Sequence, residues 1–272
     1  MKKNAVVFTI SKDLTFAVAN LIFQIKDLCP SIGDVFVIYH NGISESEKRI
    51  IKSICNARFI DYVLPVDKNI FNKSTLSHFT EMAFAKYECI KLLNEFKNVI
   101  YLDPDIVILK DLSFLLNKST NGISMIPGDA RVSDQLYEDV EEFDMEQEGI
   151  CACFFVLQDH LEDFNRKYDF CIEYLYKYAN NLYLAEQAIF DFMIQHFKIK
   201  YDVLENKNYT PHPSNFGEDA LLIHSYGALK FWNGINNDTW NKYDKNWNEL
   251  GGKSWTVIKK VKRLFQKLKS KF

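Results

Sequence analysis

Short apolar runs alternate with longer amphipathic segments through the first half of the chain. Residues 5–10 form an almost continuous apolar run rich in β-branched side chains, the pattern of a strand buried on both faces. Residues 14–28 then carry apolar positions at helical spacing, 35–40 read as a second strand, and Asn41-Gly42 turns the chain. Ser44 with Glu47 three residues on is a capping box, opening an amphipathic helix that reaches Ile54. Residues 57–63 read as a third strand, 77–96 as a further helix, and 99–102 as a fourth strand. Repeated strand-helix-strand units imply right-handed crossovers and an α/β fold, a mainly parallel Rossmann-like sheet flanked by helices.

The second half is less regular. Between Asp129 and Glu148 stand nine acidic residues and one basic residue, Arg131, which reads as a solvated helix and loop, with a mobile flap as the alternative. Residues 150–157 are another apolar run. Residues 159–178 have helical spacing with aromatic positions that suit a core, and Glu186-Gln187 opens a short apolar helix through Phe197. Residues 220–223 form a last buried strand, ending at His224.

Composition supports one large domain: 272 residues, 47% hydrophobic and 15% aromatic, bury a substantial core. The six cysteines include no Cys-x-x-Cys pair, which points to reduced thiols in a cytoplasmic protein, and Cys151-x-Cys153 reads as alternate positions of a buried strand. The basic start, Met1-Lys-Lys-Asn, resembles a signal peptide, but Lys12 and Asp13 end the apolar run after six residues, so a first strand is expected. Charge changes the picture at the other end. Residues 253–272 hold eight basic residues and no acidic one, leaving 25 basic against 36 acidic residues in the remainder. Val257, Ile258, Val261, Leu264, Phe265, Leu268 and Phe272 fall on one helical stripe of that tail. The expected division is therefore a domain over 1–252 and a basic amphipathic helix over 253–272. That helix suits peripheral association with the inner face of the cell membrane through its anionic surface; docking on the protein's own acidic body is the alternative. The acidic body and the lack of a reader motif exclude nucleic acid.

Candidate chemistry starts where the fourth strand ends. Asp103 and Asp105 flank Pro104, placing two hard oxygen donors at a strand's carboxyl end, the side of an open α/β sheet where ligands bind. Buried carboxylates need a partner, and a divalent cation supplies one. No Gly-x-Gly-x-x-Gly follows the first strand, where Thr9-Ile-Ser-Lys-Asp stands, and no Gly-x-x-x-x-Gly-Lys occurs, which removes most support for dinucleotide and P-loop readings. His224 ends another strand, followed by Gly227 for close backbone approach, Lys230 as a phosphate-seeking cation and Trp232 to pack the loop down. Two carboxylates and an imidazole suit Mn²⁺ or Mg²⁺, with positions open for diphosphate oxygens.

Leu102-Asp-Pro-Asp105 after an apolar strand, taken with His224-x-x-Gly227-x-x-Lys230-x-Trp232, resembles the family 8 retaining glycosyltransferases, the group of glycogenin and bacterial lipopolysaccharide galactosyl- and glucosyltransferases. The resemblance implies a GT-A fold and a metal site of Asp103, Asp105 and His224. It implies a UDP-sugar donor whose diphosphate meets the metal, Gly227 and Lys230. It further implies roles beside the sugar for Glu186 and Gln187, and donor-side positions for Lys86, Asp129 and Thr9. The acceptor it implies is a glycan or glycolipid such as lipopolysaccharide. Four places depart from the family pattern: Cys151-Ala152-Cys153 replaces an Asn-Ala-Gly segment, Leu14 falls near the aromatic that stacks on uracil, Lys86 stands for an arginine whose planar fork it cannot make, and Phe231 replaces a proline. A metal-dependent hydrolase using the same two aspartates, or a weakly active sugar-nucleotide-binding protein of the same fold, are the competing functional classes.

Overall fold

β1 (Asn4–Ile10) feeds two cores at once, Ala5 and Val7 packing into one hydrophobic cluster and Val6, Phe8 and Ile10 into another. β4 (Asn98–Leu102) repeats the alternation, Val99 and Tyr101 against Ile100 and Leu102, as side chains of successive strand residues must. The protein is described from a computed structural model over residues 2–117 and 119–260. Its other strands are β2 (Val35–His40), β3 (Ala57–Asp61), β5 (Ile106–Ile108), β6 (Ile123–Arg131), β7 (Glu148–Gln158), β8 (Asp202–Val203) and β9 (Leu222–His224). The α-helices are α1 (Thr15–Leu28), α2 (Glu45–Ile54), α3 (Lys73–His78), α4 (Glu88–Lys91), α5 (Phe164–Tyr178), α6 (Gln187–His196), α7 (Asn206–Tyr209) and α8 (Asp238–Glu249).

Seven strands form one sheet in the order β3-β2-β1-β4-β7-β6-β8. β3, β2, β1 and β4 run parallel, and β8 runs parallel to β6. β7 alone is reversed, antiparallel to both β4 and β6. Helices α1, α2 and α8 cover one face, and α3 to α6 contribute to the core on the other. The expected α/β architecture is thus present as a single mixed domain.

Where the elements differ from expectation, local chemistry explains it. Residues 77–96 are not one helix: α3 ends at His78, Thr80 accepts the Met82 amide, and the chain restarts as a 3-10 helix over Glu81–Tyr87 before α4. Five of those seven residues are buried, so no polar stripe remains for an ordinary surface helix, and the tighter winding suits the all-round burial. Residues 159–163 form a turn, with Asp163 left-handed at φ 46°, and helix begins at Phe164. The acidic stretch is tied to α6 at two points. Phe143 stacks on Phe192 at 4.1 Å, and Gln195 clasps Asp144 through both its amide N–H and its carbonyl.

A second, two-stranded sheet pairs β5 antiparallel to β9, setting Ile106 opposite His224. Gln24 of α1 accepts the Ile108 amide at 2.7 Å and ties this ribbon to the main body. Residues 255–260 are helical, as expected for the start of the tail, and Trp255 and Ile258 pack on the core, Trp255 within 6.1 Å of Phe16. The rest of the expected tail helix, residues 261–272, lies outside the described residues. Among the described residues, no helix is long and apolar enough to cross a membrane.

Candidate active site

The carboxyl ends of β1 and β4, the β5–β9 ribbon and the start of α6 surround one cleft of about 1710 Å³. It gathers Thr9, Lys86, Asp103, Asp105, Asp129, Glu186, Gln187, His224, Gly227 and Lys230, together with Leu14 and Cys151. Pro104 ends β4 between the two aspartates, and β5 then carries the chain to its partner β9. That pairing is what delivers the imidazole. Asp103, Asp105 and His224 each offer one ligand atom, all within 4.8 Å of one another.

Around Asp105 the site is strongly charged. His224 Nε2 lies 3.1 Å from Asp105 Oδ1, and Lys230 Nζ donates to Oδ2 at 2.5 Å and to the Ser225 carbonyl at 2.8 Å. Burial works against the Asp105 charge, yet His224 and Lys230 outweigh it and hold the carboxyl well below its ordinary range. His224 moves the other way: burial lowers it, and the Asp105 carboxylate more than reverses that. Gly227 sits at φ +86° in the loop between them, a conformation that L side chains resist.

The other side of the cleft is organised by Lys86. Its ammonium lies 3.0 Å from Asp103 Oδ1 and 2.7 Å from Glu186 Oε1, and donates to the Ala152 carbonyl at 3.1 Å. Burial opposes its charge, but Asp103 and Glu186 keep it protonated well above the ordinary lysine range. For Glu186, burial prevails over Lys86 and raises the carboxyl. Gln187 turns its Oε1 to the Ala152 amide at 3.2 Å. One helical turn on, Asp191 receives the Ile150 amide at 3.1 Å, so the four-residue spacing on α6 matches the two-residue spacing on β7. Beyond the end of β4, side chains of α6 and Lys86 thus take over the hydrogen bonds a neighbouring strand would make. Asp129 stands on the exposed rim, accepting from Asn206 Nδ2 at 2.9 Å.

The floor between these two halves is the segment 151–153. β6 pairs Met125 with Phe155 and, one residue later, Ile126 with Cys151, so β7 carries three extra residues in a bulge. The bulge brings Cys151 Sγ within 3.2 Å of Cys153 Sγ. The Cys153 thiol facing it brings Cys151 down to about 7, while burial pushes Cys153 well above the ordinary thiol value.

Three contributors lay outside the sequence reading. Tyr101 donates to Asp103 Oδ1 and meets Thr9 Oγ1 at 3.0 Å, fixing the first carboxylate of the Asp103, Asp105 and His224 cluster. Its position two residues before Asp103 on the same strand face was a usable signal. Ser225 donates its amide and hydroxyl to the Asp105 carbonyl at 3.0 and 3.1 Å, and Asp191 anchors β7; neither has a sequence signature.

A model of the family described as "Glycosyl transferase family 8" matches residues 5–236. Among solved structures, galactosyltransferase LgtC in complex with donor and acceptor sugar analogues superposes with a TM-score of 0.62 at 15% identity, over 90% of this chain and 94% of that one. The bifunctional glycosyltransferase WbbM gives 0.62 at 13%, over 96% of this chain and 52% of that one. The apo form of glycosyltransferase GlyE from Streptococcus pneumoniae TIGR4 gives 0.59 at 18%, over 98% and 64%. No curated protein matches the sequence.

Proposed function

The chain belongs to glycosyl transferase family 8 and has a GT-A fold; from that premise we propose that it is a metal-dependent, retaining hexosyltransferase using a UDP-sugar donor. The observation that carries this reading is the meeting of Asp103, Asp105 and His224 within 4.8 Å, beside the Lys230 ammonium, in a cleft at the carboxyl ends of parallel strands.

Two carboxylates and an imidazole at that spacing fit Mn²⁺ or Mg²⁺. Bound there, the ion supplies Lewis acidity for the diphosphate that leaves. Lys230 adds a second positive charge to the same leaving group, and the chain turn at Gly227 brings backbone close to it. Lys86 holds Asp103 and Glu186 in place, so the carboxylate used for metal is oriented from behind. Gln187 keeps a free lone pair on the oxygen that accepts from Ala152, and a fixed dipole of that sign favours positive charge on the anomeric carbon. Thr9 and Asp129 complete the donor side at the floor and rim.

The donor is proposed to carry galactose or glucose, and the acceptor to be a glycan or glycolipid of the cell surface such as lipopolysaccharide. The basic residues of 253–272 are proposed to hold the protein on the inner face of the cell membrane, where such an acceptor is available. The test is to incubate the protein with Mn²⁺ and a panel of UDP-hexoses, with and without a glycolipid acceptor, and to follow UDP. Metal-dependent release from at least one donor is expected, abolished by Asp103→Asn and by His224→Ala. Release that survives both substitutions removes the site.

A further inference from the structure

The segment 151–153 touches three of the groups just assigned: its Ala152 amide goes to Gln187, its Ala152 carbonyl to Lys86, and its Cys153 carbonyl accepts the Asp103 amide at 2.8 Å. The same three residues carry two thiols whose sulfurs are 3.2 Å apart, one of them half-buried on the cleft floor. Side chains two apart on a regular strand stand in parallel and do not converge in this way; the three-residue bulge against β6 arches the backbone and turns them together. We infer that Cys151 and Cys153 form an oxidisable pair on the floor of the cleft. Their closure to a disulfide across Ala152 slows the enzyme by shifting the peptide units that hold Gln187, Lys86 and Asp103.

The step is ordinary thiol–disulfide exchange with a low-molecular-weight disulfide such as oxidised glutathione. Cys151, the less buried of the two residues, attacks one sulfur of that disulfide and releases one molecule of its thiol. Cys153 then attacks the Cys151 sulfur of the mixed disulfide, and the second thiol leaves; two protein thiols are oxidised and one small disulfide is reduced to two thiols. A reductant reverses both steps. Cys29, Cys89 and Cys171 are buried away from the cleft, and Cys55, at the end of α2, does not line it either. The catalytic consequence rests on the transferase reading; the chemistry of the pair does not.

The whole chain is treated with oxidised glutathione, freed of reagent, and split between three measurements. Thiol titration in denaturant is expected to fall from six to four, and peptide mapping to find Cys151 joined to Cys153. UDP release is expected to drop about tenfold, in keeping with the cost of small displacements of aligned groups, and to return with dithiothreitol. Cys151→Ser treated in parallel is expected to keep its own untreated rate. Six thiols after treatment, or lost thiols mapping to other cysteines, overturn the inference. So does a mapped Cys151–Cys153 bond with both the UDP-release rate and the affinity for UDP in the presence of Mn²⁺ unchanged. A protein that forms the bond but releases no UDP from any donor even when reduced counts against the transferase reading instead, and the UDP affinity then decides whether closure reaches the site.

Discussion

Lys86 joins two carboxylates and a carbonyl through one ammonium, with its side chain only 8% exposed. Lys86→Met therefore leaves Glu186 and Asp103 facing each other without a counter-charge. Breaking a buried ion pair from one side costs about 3 to 5 kcal/mol; urea denaturation is expected to register a loss of that order, and a loss below about 1 kcal/mol would contradict the ion-pair geometry. Asp191 makes the opposite kind of prediction. Burial raises its carboxyl to about 8, from 3.8 for an exposed aspartate. Between those values the unfolded chain has released this proton and the folded protein still holds it, so this group's contribution to stability declines as pH rises from about 4 to about 8, then levels off. Asp191→Asn keeps an oxygen for the Ile150 amide and removes that decline, so its melting temperature is expected to gain on the parent's progressively across that interval. At this scale the sequence was legible wherever chemistry and spacing coincide, as in Asp103, Asp105 and His224. It was silent on Asp191 because a lone aspartate on a helix is ordinarily solvated, and only the packing of α6 on β7 buries it.

Helix starts were readable because caps are local. The Ser44 and Glu47 pair does form a capping box, Ser44 accepting the Glu47 amide while Glu47 returns to the Ser44 amide. Ser44→Ala is expected to cost about 1 kcal/mol, measured as a lower melting temperature with the cleft chemistry untouched. Breaks were harder to see. The restart at Thr80 and the bulge in β7 both depend on what the segment meets in space: all-round burial in the first case, and an offset between β6 and β4 in the second. A hydrophobicity pattern reports how much of a segment is covered, and neither its winding nor its register against two neighbours at once.

For the whole molecule, charge and packing divide the tail unevenly. Trp255 and Ile258 belong to the core beside Phe16, whereas residues 261–272 retain five of the tail's eight basic residues. Deleting 261–272 is expected to reduce binding to vesicles rich in anionic lipid, read by co-sedimentation. Deleting from 253 is expected to lower the melting temperature as well, because it strips Trp255 from an aromatic cluster that includes Trp232 and Trp240. Sheet topology had a similar split between what local pattern reveals and what it hides. Four parallel strands followed from the strand-helix alternation, but the reversal of β7 and the separate β5–β9 ribbon involve partners far apart in the chain, for which periodicity carries no information.

That ribbon also orders events during synthesis. Asp105 leaves the ribosome 119 residues ahead of the histidine that meets it, and no shorter nascent chain can bring Asp103, Asp105 and His224 together. On the proposed function, metal uptake therefore reports completed folding, arriving only after β9 has been threaded beside β5.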